Sequence, residues 1–292
     1  MPKRLLQRFF RSFGYFMIRD ETRLRLETKL ARLEQECATL KEGLDDITLD
    51  NFPIESDGPI YTPVFHYDGL RTSPKVIHNH DFMKDPAFLE AFWAGYKALG
   101  HNHRMYWRLH TALFFAKHGL SIEGDFVECG VWRGFLSKAI ATYLNWDTVG
   151  RTFFLFDTFD GLTDRQLTPD ERANTAKIEH LNSHYKNCYD IAVANFSEYR
   201  NIHLVRGVVP ETLKQADISS VAYLSLDMNS VNPEIAAAEH FWDVLSPSAA
   251  IVLDDYGFVS YEEQKAAFDR FAKDRGTEVL ALPTGQGIIL KP

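Results

Sequence analysis

The chain reads as an α/β protein built on a doubly wound, mostly parallel sheet with helices on both faces. Three observations predict this. Short apolar runs rich in Val, Ile, Phe and Leu recur at 125–129, 152–156, 202–206, 221–226 and 249–253. Helix-like segments separate most of them, and strands that alternate with helices imply a parallel sheet covered on both sides. Several runs end in an acidic residue and a turn, and the carboxyl edge of such a sheet is where ligands bind. With 292 residues, 45% of them hydrophobic, there is material for one large domain plus extensions.

Residues 3–19 carry Leu5, Leu6, Phe9, Phe10, Phe13, Phe16 and Met17 at near-helical spacing. Lys3, Arg4, Arg8, Arg11 and Arg19 lie among them, with no acid. Segment 1–19 therefore predicts a basic amphipathic helix, lying on an anionic membrane surface or packed on protein. Over 20–50, Leu26, Leu30, Leu33, Cys37, Leu40 and Leu44 follow steps of four and three. That is an a/d seam, which predicts a short coiled coil joining copies into a homo-oligomer, or one helix packed on its own domain. Segment 51–120 reads as linker, substrate-side loop and helices. Residues 46–75 are rich in Asp, Pro and Gly, and helical periodicity runs from Asp81 to His118. There Phe88, Phe92, Tyr96 and Leu99 are expected on one face, and Trp107, His110, Thr111, Phe114 and Phe115 on another. Segment 121–292 carries the alternating pattern and is the expected ligand-binding domain.

The net charge of −8 argues against nucleic acid as a partner, because phosphate binding needs a basic face. Cys37, Cys129 and Cys188 lack metal-ligand or redox spacing and read as free thiols of a reducing cytoplasm. No apolar run is long enough to span a bilayer, and the arginines break any secretory signal. The expected location is cytoplasmic, either free or peripheral at the inner face of the membrane.

Four strand ends carry the chemistry. In Gly124-Asp125-Phe126-Val127-Glu128-Cys129-Gly130-Val131-Trp132-Arg133-Gly134 an apolar strand ends in Glu128 and enters a two-glycine loop before a helix. Glycines there let a ligand approach the backbone near a helix N-terminus. The spacing is neither that of dinucleotide enzymes nor that of a P-loop. In Phe153-Phe154-Leu155-Phe156-Asp157-Thr158-Phe159, Asp157 is placed to hold a ribose diol or to cap the next helix. Leu224-Ser225-Leu226-Asp227-Met228-Asn229 and Ile251-Val252-Leu253-Asp254-Asp255-Tyr256-Gly257 both end in acids. On neighbouring strands, Asp227, Asp254 and Asp255 would converge and repel unless a cation lies between them. All-oxygen ligands suit Mg²⁺ or another hard divalent cation, and the alternative is that Asp254 and Asp255 cap a turn.

In order and spacing, GDFVECGVWRG, FLFDTFDGL, RGVVPETL, LSLDMN and SPSAAIVLDDYG resemble the macrocin O-methyltransferase family. These are bacterial class I S-adenosylmethionine-dependent enzymes that methylate sugar hydroxyls of antibiotics. The resemblance covers residues 101–290 and implies a Rossmann-like sheet of seven strands. It implies that Glu128, Cys129, Gly130 and Gly134 surround the methionine part of S-adenosylmethionine, and that Asp157, Thr158 and Phe159 lie at the ribose. Arg206, Gly207 and Val208 would lie near the adenine. Asp227, Asp254 and Asp255 would bind a divalent metal, usually Mg²⁺, that grips the acceptor hydroxyl. The implied activity is metal-assisted O-methyl transfer to a sugar or related small molecule, in bacterial glycan or natural-product assembly.

The sequence departs from the family at one point that bears on catalysis. Many members have an acid two residues after the first strand-four Asp, a candidate base; here Asn229 follows Asp227. An amide cannot act as a base at neutral pH. Three outcomes are open: Asn229 serves as a substrate or metal ligand, another residue such as His80, His184 or His240 takes the proton, or catalysis is absent or different. If it is absent, the chain is a non-catalytic S-adenosylmethionine-binding scaffold in a membrane-associated complex. Ser248-Ala249 replaces the usual glycine pair before strand five, which touches only a turn.

Overall fold

Seven strands form one sheet in the computed structural model, which describes residues 71–73, 76–77, 81–100 and 105–292. The basic helix and coiled coil expected over 1–50, and His80, lie outside these residues. The described residues all belong to one compact unit, Ile60–Pro292. The strands are β1 Asp125–Cys129, β2 Phe153–Asp157, β3 Ile202–Arg206, β4 Val221–Leu226, β5 Leu245–Leu253, β6 Leu280–Ala281 and β7 Gly287–Leu290. Their order across the sheet is β3-β2-β1-β4-β5-β7-β6. The first five are parallel, while β7 runs antiparallel to both β5 and β6. Strand order turns back between β1 and β4, and a crevice opens at that switch point beyond the carboxyl ends. A short hairpin pairs Arg71–Ser73 with Val76–Ile77 ahead of the sheet.

Eight helices complete the described layers. They are α1 Pro86–Leu99, α2 Tyr106–Gly119, α3 Phe135–Tyr143, α4 Pro169–Ala173, α5 Thr175–Tyr185, α6 Tyr189–Phe196, α7 Val231–Trp242 and α8 Glu262–Asp274. Strand parity sets the two faces, because successive side chains point to opposite sides. Val127, Cys129, Leu224, Leu226, Ile251 and Leu253 join one core with Ala237, Phe241, Phe268 and Phe271 of α7 and α8. Phe126 packs on Trp146, Phe153 and Tyr223 on the other side, where α2 and α3 lie. All six residues of β4 are buried, as a central parallel strand covered on both faces requires.

Sequence sets α1 sharply. Asp85 accepts from Ala87 N, Pro86 opens the first turn, and Gly100 closes the last in a left-handed conformation with φ 87°. The helix buries Phe88, Ala91, Phe92, Gly95, Ala98 and Leu99. α2 corrects the expected face. Its buried side is Tyr106, Arg108, Leu109, Ala112, Leu113 and Ala116, whereas Phe114 is 61% exposed. Aromatic weight drew the expectation to the wrong stripe; small and aliphatic residues pack closer to a sheet. The corrected phase carries Arg108 inward, to the strand ends.

Candidate active site

A cavity of about 1110 Å³ opens at the carboxyl ends of β1, β2, β4 and β5. At β1, Glu128 is buried and faces it. Glu128 Oε1 accepts a 3.4 Å hydrogen bond from Ser137 of α3, while Oε2 has no partner. Burial, reinforced by the charge of Asp227, pushes this carboxyl well above the usual glutamate range. Gly130 follows with φ 92°, and a Cβ there would lie 1.8 Å from the Asp227 carbonyl oxygen. Gly134 has φ 94°, and its Cβ would meet the Phe196 ring at 2.5 Å. The glycines thus let the loop pack against β4 and α6.

Asp157 at the end of β2 binds the loop after β1. Its Oδ2 accepts from Val131 N at 2.6 Å and Trp132 N at 2.7 Å, and Oδ1 accepts from Phe159 N at 2.6 Å. The carboxylate that the sequence assigns to a ribose thus anchors two turns of its own chain. Thr158 beside it donates to Gly161 O at 2.7 Å.

At β4 and β5, ligand atoms of Asp227, Asp254 and Asp255 lie within 4.8 Å of one another. A cation is already present. The buried guanidinium of Arg108 forms a short ion pair with Asp254, donates to the Asp254 carbonyl at 3.0 Å and reaches Asp255 Oδ1 at 3.4 Å. Gln286 Nε2 donates to the second Asp254 oxygen at 3.1 Å. Asp255 Oδ2 is buried without a partner. Burial and the Asp255 charge push Asp227 up to about 7, against the pull of Arg108. Asp255 is raised as well, by burial, with Arg108 and Lys177 opposing. Orphaned oxygens and raised carboxyls fit a site that accepts a further cation.

Asn229 sits between these groups in a left-handed conformation, φ 58°, which Asn tolerates well. Tyr261 donates to its Oδ1 at 2.6 Å, which turns Nδ2 toward Asp227 Oδ1 at 3.4 Å. Below, Glu234 is fully buried and accepts from Met228 N at 2.8 Å. Burial and the Asp255 charge raise its pKa well above the usual range. Glu171 of α4 accepts from Val231 N at 2.9 Å and Ser230 Oγ at 2.8 Å, tying the segment after β2 to the start of α7.

The macrocin-O-methyltransferase (TylF) family model matches residues 99–280. The chain belongs to the macrocin O-methyltransferase family. Mycinamicin III 3''-O-methyltransferase of Micromonospora griseorubida is 27% identical over 150 residues, 46% of this chain and 56% of that protein. Demethyldecarbamoylnovobiocin O-methyltransferase of Streptomyces niveus is 26% identical over 163 residues, 52% of this chain and 62% of that protein. The chain therefore spans less than two thirds of the length of these curated relatives. Among solved structures, the O-methyltransferase NovP aligns with a TM-score of 0.56 at 21% identity, covering 65% of this chain and 82% of that one. The calicheamicin methyltransferase CalS11 aligns with a TM-score of 0.51 at 16% identity, covering 73% and 94%. Both likenesses concern the fold.

In this member of the family, Glu128, Gly130, Asp157, Thr158, Gly207, Asp227, Asn229, Asp254 and Asp255 all line the cavity. Five other candidates do not. Cys129 points into the α7–α8 core, and Phe159 is buried against Tyr189. Gly134 contacts Phe196, and the exposed Arg206 stacks on Tyr189 at 4.6 Å. Val208 is not a lining residue, although Gly207 and Val209 on either side of it are. Of the candidate bases, His184 lines the cavity from α5, while His240 is exposed on α7 against Phe241. Arg108, Lys177, Tyr261 and Gln286 were not among the expected site residues. For Arg108 the sequence holds one signal, a lone charge on the otherwise apolar face of α2.

Proposed function

We propose that the protein is an S-adenosylmethionine-dependent O-methyltransferase acting on a hydroxyl of a sugar or sugar-bearing natural product, assisted by a hard divalent cation such as Mg²⁺. The observation that carries the reading is a pair of buried, unpartnered carboxylate oxygens in one cavity, Glu128 Oε2 and Asp255 Oδ2. Each is unstable alone and each fits a cationic guest. Family membership and the acceptors named for the relatives support the same reading.

Glu128 receives the ammonium of the methionine part, with the Gly130–Gly134 turn held in shape by Asp157. Thr158 and Gly207 border the nucleoside. The sulfonium methyl that S-adenosylmethionine supplies is already activated, so the protein chiefly positions the acceptor oxygen in line with it. Asp227 and Asp255, with Asp254 beside them, would hold Mg²⁺, which would orient the acceptor hydroxyl and lower its pKa. Asp227, whose carboxyl is raised by burial and by Asp255, would take the hydroxyl proton of the acceptor. Asn229 is a donor and orients that carboxylate. Because Asn229 cannot take a proton, the scaffold reading keeps one specific observation in its favour.

Equilibrium dialysis with labelled S-adenosylmethionine, then transfer assays over a panel of sugar hydroxyls, tests both readings. The expected result is saturable binding that Glu128→Gln weakens at least about tenfold, the worth of one charge-assisted hydrogen bond. Transfer should depend on Mg²⁺ and stop with chelator. Absence of binding would sink the proposal. Binding with no transfer to any acceptor would favour the scaffold.

A further inference from the structure

One wall of the cavity carries groups that the methyl donor and a metal leave unused. α5 turns Lys177, His180, Leu181 and His184 to the cavity, the i, i+3, i+4, i+7 positions of one helix face. The three basic side chains are strung along about 10 Å of helix axis. Lys177 Nζ donates to Ser260 O at 2.8 Å and rests 3.4 Å from the Tyr261 ring centroid, which holds the stem in place. An ammonium has three donors, and this uses one. Burial lowers the Lys177 pKa although Asp255, Glu171 and Glu262 pull it upward, so desolvation outweighs the acidic neighbours. The exposed rings of His180 and His184 lie 4.7 Å apart, tilted at 56° to each other, with His184 Nδ1 on the His180 carbonyl at 2.9 Å.

The same cavity has an acidic floor of Glu128, Asp157, Asp227, Asp254 and Asp255, where the basic lining group is Arg108. The cavity is therefore bipolar, with acids at the strand ends and bases along α5. A neutral acceptor needs no such wall. We infer that Lys177, His180 and His184 bind a diphosphate carried by the acceptor, an inference that rests on the methyltransferase reading. With the imidazoles protonated beside the anion, Lys177, His180 and His184 offer donors over two helical turns to an extended diphosphate, and a single carboxylate meets one or two of them. Repulsion from the floor turns the anionic end to α5, which presents the hydroxyl end to Asp227. A sugar diphosphate can come as a nucleotide ester or as a polyprenyl ester, and the wall reads the group common to both.

Calorimetric titration of the S-adenosylhomocysteine-loaded protein with inorganic pyrophosphate, in chelator, tests this. Pyrophosphate should bind, and His180→Gln/His184→Gln and Lys177→Gln should each weaken it at least tenfold, with Lys177→Arg restoring most of the loss. S-adenosylhomocysteine affinity should stay within twofold in every variant. Tighter binding of uridine diphosphate than of geranyl diphosphate would assign the nucleotide source, and the reverse order the lipid source. No pyrophosphate binding, or binding indifferent to all three side chains, overturns the inference. Failure of S-adenosylhomocysteine to bind strikes the proposed activity instead, and pyrophosphate titration of the unloaded protein still reads the wall.

Discussion

The two halves of the sheet's carboxyl edge are built by different means. At β1 and β2, Asp157 is satisfied by backbone N–H groups of Val131, Trp132 and Phe159, all within 26 residues of it. At β4 and β5, the carboxylates are met by side chains: Arg108, 146 residues from Asp254, Gln286, 32 residues from it, and Tyr261 acting through Asn229. Backbone donors are fixed once the turn forms, while side-chain donors can yield to a ligand. The first half is a preformed cradle. The second half is a charge cluster balanced by the Arg108 guanidinium.

The cradle is the more brittle half, and Gly130→Ala should break it. The added Cβ would stand 1.8 Å from the Asp227 carbonyl, where only backbone movement can relieve it. The expected loss exceeds about 4 kcal/mol, read by urea unfolding or as failure to accumulate folded protein. Gly276→Ala is the control: φ is 70° and nothing lies within 4 Å of the added atom. It should cost only about 1 kcal/mol, the price of the backbone conformation alone. Equal losses at the two positions would refute the close approach of the loop to β4.

In the other half, Arg108→Met should cost about 3–5 kcal/mol, because it leaves Asp254 and Asp255 buried without their counter-ion. Mg²⁺ should then raise the melting temperature of the variant more than that of the parent, since an ion bound to the folded state takes over the lost charge. A variant as stable as the parent, or equally indifferent to Mg²⁺, would show that Arg108 is not what balances the cluster.

The same contrast explains what the sequence disclosed. The five parallel strands begin and end within a few residues of the apolar runs, most sharply at central β4, which is buried on both faces and apolar but for Ser225. Glu128 and Asp157 were legible because strand and turn are contiguous. Cys129 and Phe159 were carried along by motif, although Cys129 adjoins Glu128 on a strand and so must face the opposite side. Arg108 was invisible for a different reason. Periodicity looks for apolar residues on a buried face, and here a charge sits on it, stabilised by a carboxylate whose distance in sequence no local pattern records. The α5 wall has helical spacing but only acquires meaning beside the acids it faces.

A pH scan separates the halves further. Glu234 lies beneath β4, with a pKa raised by burial and by Asp255. Below the ordinary value of 4.5 the carboxyl is protonated in both states and the stabilisation is complete. Above it the unfolded chain releases the proton while the folded chain keeps it, so stability falls as pH rises toward the folded value. One such group sets a slope of about 1.4 kcal/mol per pH unit. Glu234→Gln keeps the shape without the titration and should flatten the fall by that amount in urea melts from pH 5 upward. A neutral Glu234 also suits its partner: Gln264 makes a short contact through Nε2 while its Oε1 has no partner, and turning the amide lets Oε1 accept the carboxyl proton. An unchanged slope in the variant would place the ionised form in the folded protein.

The smallest effect tests the finest detail, the orientation of Asn229. Tyr261→Phe removes the 2.6 Å hydrogen bond to Asn229 Oδ1 yet keeps the ring on which Lys177 rests. The loss should be about 1 kcal/mol, the net worth of one neutral hydrogen bond, and a melting temperature lower by a few degrees. Asn229→Ala removes the other partner, and the double variant should then lose less than the sum of the singles by about the same 1 kcal/mol. Strict additivity would mean that the two side chains act independently. Asn229 would then be free to turn its carbonyl oxygen to Asp227, an arrangement that suits only the protonated carboxyl. The coupling is what makes Asn229 a donor to Asp227, and it gives the amide a defined task at the end of β4.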